Sequence, residues 1–163
     1  MRKPNLLFLC TGNSCRSQMA EAWCRAIASH RVNPFSAGVV ASGMNPKMLQ
    51  VMREVGLEPT IHQSSKTLAF LLDAGLDFDV VVTVCGHAHD SCIRPHPAMR
   101  TVVHRAFADP PDQERHAPDA DAALDNYRRV RDEIRDFILS DAFTALTSTA
   151  PDAAALTAGV AHD

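Results

Sequence analysis

Two short runs in this chain are apolar on both faces: Asn5–Cys10 (Asn-Leu-Leu-Phe-Leu-Cys) and Asp79–Cys85 (Asp-Val-Val-Val-Thr-Val-Cys). Unbroken apolar segments of this length suit central strands of a parallel sheet covered by helices on both sides. Pro34–Val40 and Thr101–Phe107 read as weaker strands. Between them the apolar positions change to helical spacing. Ser17–His30 carries Met19, Trp23 and Ile27; Pro46–Val55 carries Met48, Met52 and Val55; Ser65–Ala74 carries Leu68, Leu71 and Leu72. Asp119 opens a longer helix in which Leu124, Tyr127, Val130, Ile134, Phe137 and Ile138 make one apolar stripe, with Arg128, Arg131, Asp132 and Arg135 elsewhere. The order β-α-β-α-α-β predicts an α/β fold with right-handed crossovers. After Leu146 the sequence turns to Thr-Ser-Thr-Ala-Pro-Asp-Ala-Ala-Ala, which offers little to bury. This predicts one domain over residues 1–146 and an Ala-rich, flexible tail over 147–163.

A chain of 163 residues fits one domain whose core needs no disulfide staples. Five cysteines are therefore available for other work. Their odd number, and an opening apolar run too short for a signal peptide, predict a cytoplasmic protein with reduced thiols. No segment approaches the roughly 20 apolar residues of a membrane span. With 16 Lys+Arg against 19 Asp+Glu there is no basic excess to suggest nucleic acid, so neither membrane nor nucleic acid is an expected partner.

The first apolar run ends in Cys10-Thr11-Gly12-Asn13-Ser14-Cys15-Arg16-Ser17, directly before a helical stretch. A strand-to-helix turn of this kind lets successive backbone N–H groups from Thr11 to Ser17 curl around one tetrahedral oxyanion, with the Cys10 sulfur beneath it. A free thiol of pKa about 8.5 is only slightly ionised at neutral pH, whereas a helix N-terminus and a nearby arginine lower such values to roughly 3.5–7.5. A shift of two units corresponds to about 2.7 kcal/mol, which the loop amides, the Ser17 hydroxyl and the Arg16 guanidinium could jointly supply. The planar Arg16 fork also suits two oxygens of an anion. Gly12 and Asn13 suit positive φ angles. Cys15 lies inside the loop, where its N–H matters more than its sulfur; Cys24, beside Trp23, reads as core filler.

The second apolar run ends Val84-Cys85-Gly86-His87-Ala88-His89-Asp90-Ser91-Cys92. Open α/β sheets place their sites at the carboxyl ends of strands, so Cys85 is expected near Cys10 if the two strands are neighbours. Three cysteines could then act in sequence. Two unrelated cysteines, or a zinc site of Cys85, His87, His89 and Cys92, are the alternatives, although that spacing is unlike the usual paired ligand sets. No metal or other cofactor is called for. Asp109, before Pro110-Pro111 at another strand end, sits on a proline-fixed loop; it could protonate a leaving oxygen or help deprotonate an incoming thiol, and an ordinary Asp-Pro turn is the alternative.

With Cys-Thr-Gly-Asn-Ser-Cys-Arg-Ser-Gln-Met-Ala-Glu-Ala at 10–22, the chain resembles the low-molecular-weight tyrosine phosphatase superfamily, and within it the thioredoxin-coupled arsenate reductases. Ser36-Ala37-Gly38, Asn45-Pro46, the Val-Val-Thr-Val-Cys strand with a second cysteine seven residues on, Asp109-Pro110 and Arg129–Ile134 extend the match over residues 4–140. The resemblance implies a three-layer fold, a four-stranded parallel sheet flanked by helices, of the flavodoxin-like kind. It implies that Cys10 attacks arsenate, that Cys85 attacks the Cys10 adduct to release arsenite, and that Cys92 attacks Cys85 to leave a Cys85–Cys92 disulfide for thioredoxin to reduce. Residues seven apart on a helix are about 10.5 Å apart. A disulfide needs Cα atoms within about 6.8 Å, so closing this pair requires local unwinding, which Gly86, Pro95 and Pro97 favour.

Some relatives hold potassium near residues corresponding to Asn13, Glu21 and Ser36, completed by a threonine and an aspartate near 63 and 65. This chain has Gln63, Ser64, Ser65 and Lys66, and a lysine ammonium could occupy the space of the cation. The competing activity is phosphotyrosine hydrolysis, which uses the same cradle. Its enzymes usually carry tyrosines after Asp-Pro, where this chain has Pro111-Asp112. A non-catalytic thiol module that captures soft ions is a third reading.

Overall fold

The computed structural model describes residues 2–86 and 96–148. Four parallel strands, β1 (Asn5–Cys10), β2 (Asn33–Gly38), β3 (Phe78–Thr83) and β4 (Met99–His104), form one sheet in the order β2-β1-β3-β4. Helix α1 (Arg16–Ala28) joins β1 to β2, and α2 (Pro46–Glu54) and α3 (Leu68–Asp73) precede β3. After β4 come α4 (Pro110–Glu114), α5 (Ala120–Leu139) and α6 (Asp141–Ser148).

Period-2 alternation along the strands divides the core in two. Leu6, Phe8 and Cys10 of β1, with Val80 and Val82 of β3, face a thick layer that includes Met19, Trp23, Met52, Tyr127 and Ile134. Leu7, Leu9 and Val81 face a thinner layer built on Leu71. The three-layer expectation therefore holds. Both β1 and β3 are buried on both faces, as their unbroken apolar runs require.

The boundaries differ from the sequence pattern where the backbone is needed elsewhere. β2 ends at Gly38 rather than Val40 because the Val39 and Val40 amides leave the ladder and donate to the carbonyls of Cys10 and Thr11. Helix α3 begins after Thr67, whose hydroxyl caps it by accepting from the Phe70 amide; Ser65 and Lys66 are turned toward the loop after β1. Arg131, which the stripe placed away from the core, is buried. Its guanidinium donates to the Val51 carbonyl at 2.9 Å and to Glu54 at 2.9 Å, joining α5 to α2.

Asp109 is not in a simple loop: it is the N-cap of α4. Helix α6 continues the ordered chain to Ser148, with Phe143 fully buried and its ring 5.5 Å from that of Phe137. The remainder of the expected tail, 149–163, and the segment 87–95 with His87, His89 and Cys92 lie outside the described residues. Among the described residues no helix is long and apolar enough to cross a membrane.

Candidate active site

The strand order places the site. β1 connects to β2 on one side and pairs with β3 on the other, so the carboxyl end of β1 is a switch point where a crevice opens. Leu9 pairs with Thr83 in the register, which brings Cys10 and Cys85 to the same edge of the sheet.

The loop that follows is shaped by a strap formed from residues 39–45. Val39, Val40, Ser42 and Asn45 donate their amides to the carbonyls of Cys10, Thr11, Gly12 and Ser14, at 3.3, 3.0, 2.9 and 3.1 Å. In a planar trans peptide the N–H points opposite to the preceding C=O. Tying these carbonyls to the strap therefore turns the N–H groups of Thr11, Gly12, Asn13 and Cys15 to the other side, toward the hollow. The cradle expected from the sequence thus has a builder that the sequence pattern did not reveal.

Asn13 occupies the left-handed region at φ 46°, as expected; Gly12 does not. Gly12 instead sits close to Ser42: a Cβ there would lie 2.8 Å from Ser42 Oγ, which would have to rotate aside, and 3.2 Å from Ser42 Cβ.

A buried polar chain runs to the nucleophile. Gln63 donates to Gln18 Oε1 at 2.9 Å, and Gln18 donates to Asn13 Oδ1 at 2.9 Å. Asn13 Nδ2 donates to Ser17 Oγ at 2.9 Å, which leaves the Ser17 proton for the Cys10 sulfur 2.8 Å away. The role of Gln18 and Gln63 in this chain of bonds escaped the sequence reading because exposed glutamines on a helix and a loop look identical to these until the chain is folded.

Cys10 is lowered to about 6, first by a hydrogen bond from the Cys85 thiol and then by the Ser17 hydroxyl and the Ser17 and Asn13 amides, against the opposing effect of burial. The Ser17 hydroxyl and the loop amides contribute as expected from the sequence, but the leading cause is Cys85, which that expectation did not include; the Arg16 charge favours the anion of Cys85. Sharing its proton with Cys10 and being buried push Cys85 well above the ordinary thiol range, while Arg16 and the Thr11 amide oppose this. Burial likewise pushes Cys15 far up and Cys24 up to about 12, so both are poor nucleophiles, as expected.

Alkylation of Cys10 by iodoacetamide, followed by peptide mass spectrometry, is expected to have its midpoint near pH 6. Cys85→Ala removes the leading donor to the anion and should raise that midpoint by about one unit or more. An unmoved midpoint would show that Cys85 does not stabilise the Cys10 thiolate.

Arg16 leans across the mouth. It donates to the Phe107 carbonyl at 3.0 Å and lies 3.6 Å from Asp109 Oδ1. The Asp109 side chain makes no capping bond to its own helix, so its carboxylate is free to face the cradle. The structure therefore gathers Cys10, the loop 11–17, Arg16, Cys85 and Asp109 at one edge of the sheet; Cys92 is outside the described residues.

Beneath the loop, buried Glu21 accepts from Ser36 Oγ at 2.6 Å and from Arg25 at 2.5 Å, and Lys66 Nζ lies 3.7 Å from it. Burial lowers the Lys66 value and the Glu21 charge opposes that effect. With an ammonium and a guanidinium beside the Glu21 carboxylate, these residues do not suit a potassium ion.

This arrangement can hold an oxyanion against an ionised thiol, with a second thiol in contact with the first. Residues 5–147 match the family described as low molecular weight phosphotyrosine protein phosphatase. The chain belongs to that family. Within it, the chain is similar to arsenate reductase 1 of Bacillus cereus, at 42% identity over 132 residues, covering 81% of this chain and 89% of that protein. Among solved structures, the thioredoxin-dependent arsenate reductase of Corynebacterium glutamicum superposes with a TM-score of 0.56 at 24% identity, over 83% of this chain and 60% of that one. A tyrosine phosphatase of Erwinia amylovora gives 0.62 at 20% identity, over 83% and 88%. Both structural likenesses concern the fold. One scaffold thus carries proteins named as reductases and as phosphatases, so the fold alone does not decide the activity.

Proposed function

We propose that this chain reduces arsenate to arsenite by a relay of three thiols, with thioredoxin as the electron donor. The observation that carries the reading is the placement of a second thiol, Cys85, beside Cys10 at the carboxyl edge of β1 and β3, next to an oxyanion cradle and close enough to lower the Cys10 value. A hydrolase needs one nucleophile and a water; a second thiol in contact with the first is what a reductase needs. The similarity to arsenate reductases at about 40% identity supports it independently.

In this mechanism the loop amides and Arg16 hold arsenate, and the Cys10 thiolate attacks arsenic. An arsenic–oxygen bond breaks, and Asp109 protonates the departing oxygen. Esterification of Cys10 ends its hydrogen bond with Cys85. The Cys10 anion, the leading group that held Cys85 protonated, is then gone, and the Arg16 charge and Thr11 amide, which favour the Cys85 anion, remain to oppose the effect of burial. Asp109, now ionised, accepts the Cys85 proton.

The Cys85 thiolate attacks the Cys10 sulfur. A sulfur–sulfur bond forms, the sulfur–arsenic bond breaks with its electron pair going to arsenic, and arsenite leaves. Cys92 next attacks the Cys85 sulfur, restoring the Cys10 thiolate and leaving a Cys85–Cys92 disulfide. Two electrons from thioredoxin reduce that disulfide. Chemistry of this kind belongs in the reducing cytoplasm, and the described cysteines are all free thiols.

Phosphotyrosine hydrolysis finds less support. The chain's only tyrosine, Tyr127, is fully buried and cannot flank an aromatic ester at the mouth. The deciding experiment supplies arsenate with thioredoxin, thioredoxin reductase and NADPH. The native chain is expected to consume NADPH continuously and form an equal amount of arsenite, whereas Cys92→Ala should stop after about one turnover. Continuous turnover by the variant would rule out the relay.

A further inference from the structure

Tyr127 is the largest fully buried side chain of the core, yet its hydroxyl carries two hydrogen bonds, and each leads to a different wall of the site. It donates to Glu114 Oε2 at 2.9 Å and accepts from Asn45 Nδ2 at 3.2 Å. Asn45 is the last residue of the strap: its amide holds the Ser14 carbonyl of the cradle at 3.1 Å, and its side-chain oxygen caps α2 by accepting from the Lys47 and Met48 amides.

Glu114 is the last residue of α4, the short helix whose N-cap is Asp109 and whose Gln113 amide donates to the Asp109 carbonyl at 3.0 Å. Lys47 of α2 also pairs with Glu114. One phenol oxygen therefore ties the carrier of the carboxylate to the strap that shapes the cradle.

The tie matters because α4 cannot place itself. A helix of five residues is far below the length that holds together by its own hydrogen bonds, so external anchors set where Asp109 stands. At the Asp109 end the anchors are the Arg16 contact at 3.6 Å and the burial of Pro110. Arg16 is also the side chain that takes hold of the oxyanion, so it is a poor fixed anchor during turnover. At the other end the anchors are Lys47, on a flexible stem, and Tyr127, on a rigid ring packed into the core.

We propose that Tyr127 is a positioning residue: its hydroxyl clamps α4 against the strap so that the Asp109 carboxylate stays at proton-transfer distance from the oxygen leaving arsenic. Tyr127 touches neither arsenate nor a reacting sulfur. This inference rests on the reading of Asp109 as proton donor, and the experiment separates the two.

Tyr127→Phe removes one oxygen and keeps the ring. Single-turnover arsenite release from the pre-reduced full chain is expected to slow roughly five- to twenty-fold, the scale of a misplaced catalytic group, while phosphate affinity stays within about two-fold because the cradle amides are untouched. Glu114→Gln, which keeps an acceptor for the phenol, should lose less than Glu114→Ala. The decisive measurement is the double variant: in an Asp109→Asn background, Tyr127→Phe should cause no further loss, because the group it positions is already gone.

Equal losses in both backgrounds would mean general loosening of the core and would overturn the inference. A loss confined to phosphate affinity, or full speed in Tyr127→Phe, would also overturn it. If Asp109→Asn alone is fully active, the reading of Asp109 fails first and the positioning role fails with it.

Discussion

Serine in place of Cys10 is expected to leave no arsenate reduction above the background of free thiols, a loss on the order of 10⁴-fold or more. The reason goes beyond nucleophilicity. A serine hydroxyl is not ionised near pH 7, whereas Cys10, lowered to about 6, is largely anionic there. The reductive step also requires a sulfur at position 10 for Cys85 to attack, since the electrons that reach arsenic are those of the broken sulfur–arsenic bond. An oxygen ester offers no such route. Oxyanion binding should survive, because the amides aimed into the hollow are held by the strap and not by the sulfur. Calorimetric titration with phosphate and a coupled assay for arsenite would read the two properties separately. Measurable catalytic reduction by Cys10→Ser would show that another residue is the first nucleophile.

Gly38→Ala is expected to have the largest effect on stability. A Cβ at position 38 would lie 2.5 Å from the Val40 carbonyl oxygen, 2.7 Å from the Asn13 nitrogen and 2.7 Å from the Thr11 carbonyl oxygen. All three are backbone atoms and cannot rotate aside. They belong to the strap and the cradle, so relief of the clash must break the contact between them. Overpacking of this kind should cost about 3 kcal/mol or more. For a chain of this size that lowers Tm by roughly 6–12 °C. The Cys10 thiolate should become less stable as well, because the Asn13 amide that supports it moves. Thermal unfolding and the iodoacetamide pH profile test the two effects. An unchanged Tm with an unchanged profile would mean that the loop tolerates separation from the strap.

The legible parts of the fold are those governed by local pattern. β1 and β3 stood out because strands buried on both faces have no polar side to interrupt them. The helices were visible through their apolar spacing, with Asp119 confirmed as a cap that accepts from the Ala122 amide. Ends were less legible where a backbone group serves a neighbour: Val39 and Val40 look like strand residues, but their amides are spent on the cradle. Arg131 was assigned to the polar face because the charge pattern does not show that Glu54 and the Val51 carbonyl wait beneath it.

The site divides in the same way. The sequence by itself determined which groups can do chemistry here: a cysteine at a strand-to-helix turn, an arginine six residues on, a second cysteine at the end of a like strand, and an aspartate before two prolines. These follow from residue type and local conformation, which short stretches of chain carry in full.

Only the tertiary structure decided how the groups act on one another. The strand order β2-β1-β3-β4 makes Cys10 and Cys85 neighbours, and that contact, rather than the charge of Arg16, is the leading cause of the lowered Cys10 value. The strap, the Gln63–Gln18–Asn13–Ser17 chain and the Tyr127 tie join segments tens of residues apart in sequence. Hydrogen bonding and proton sharing fall off within a few ångströms, so their partners are set by distance in the folded chain, which local pattern does not encode.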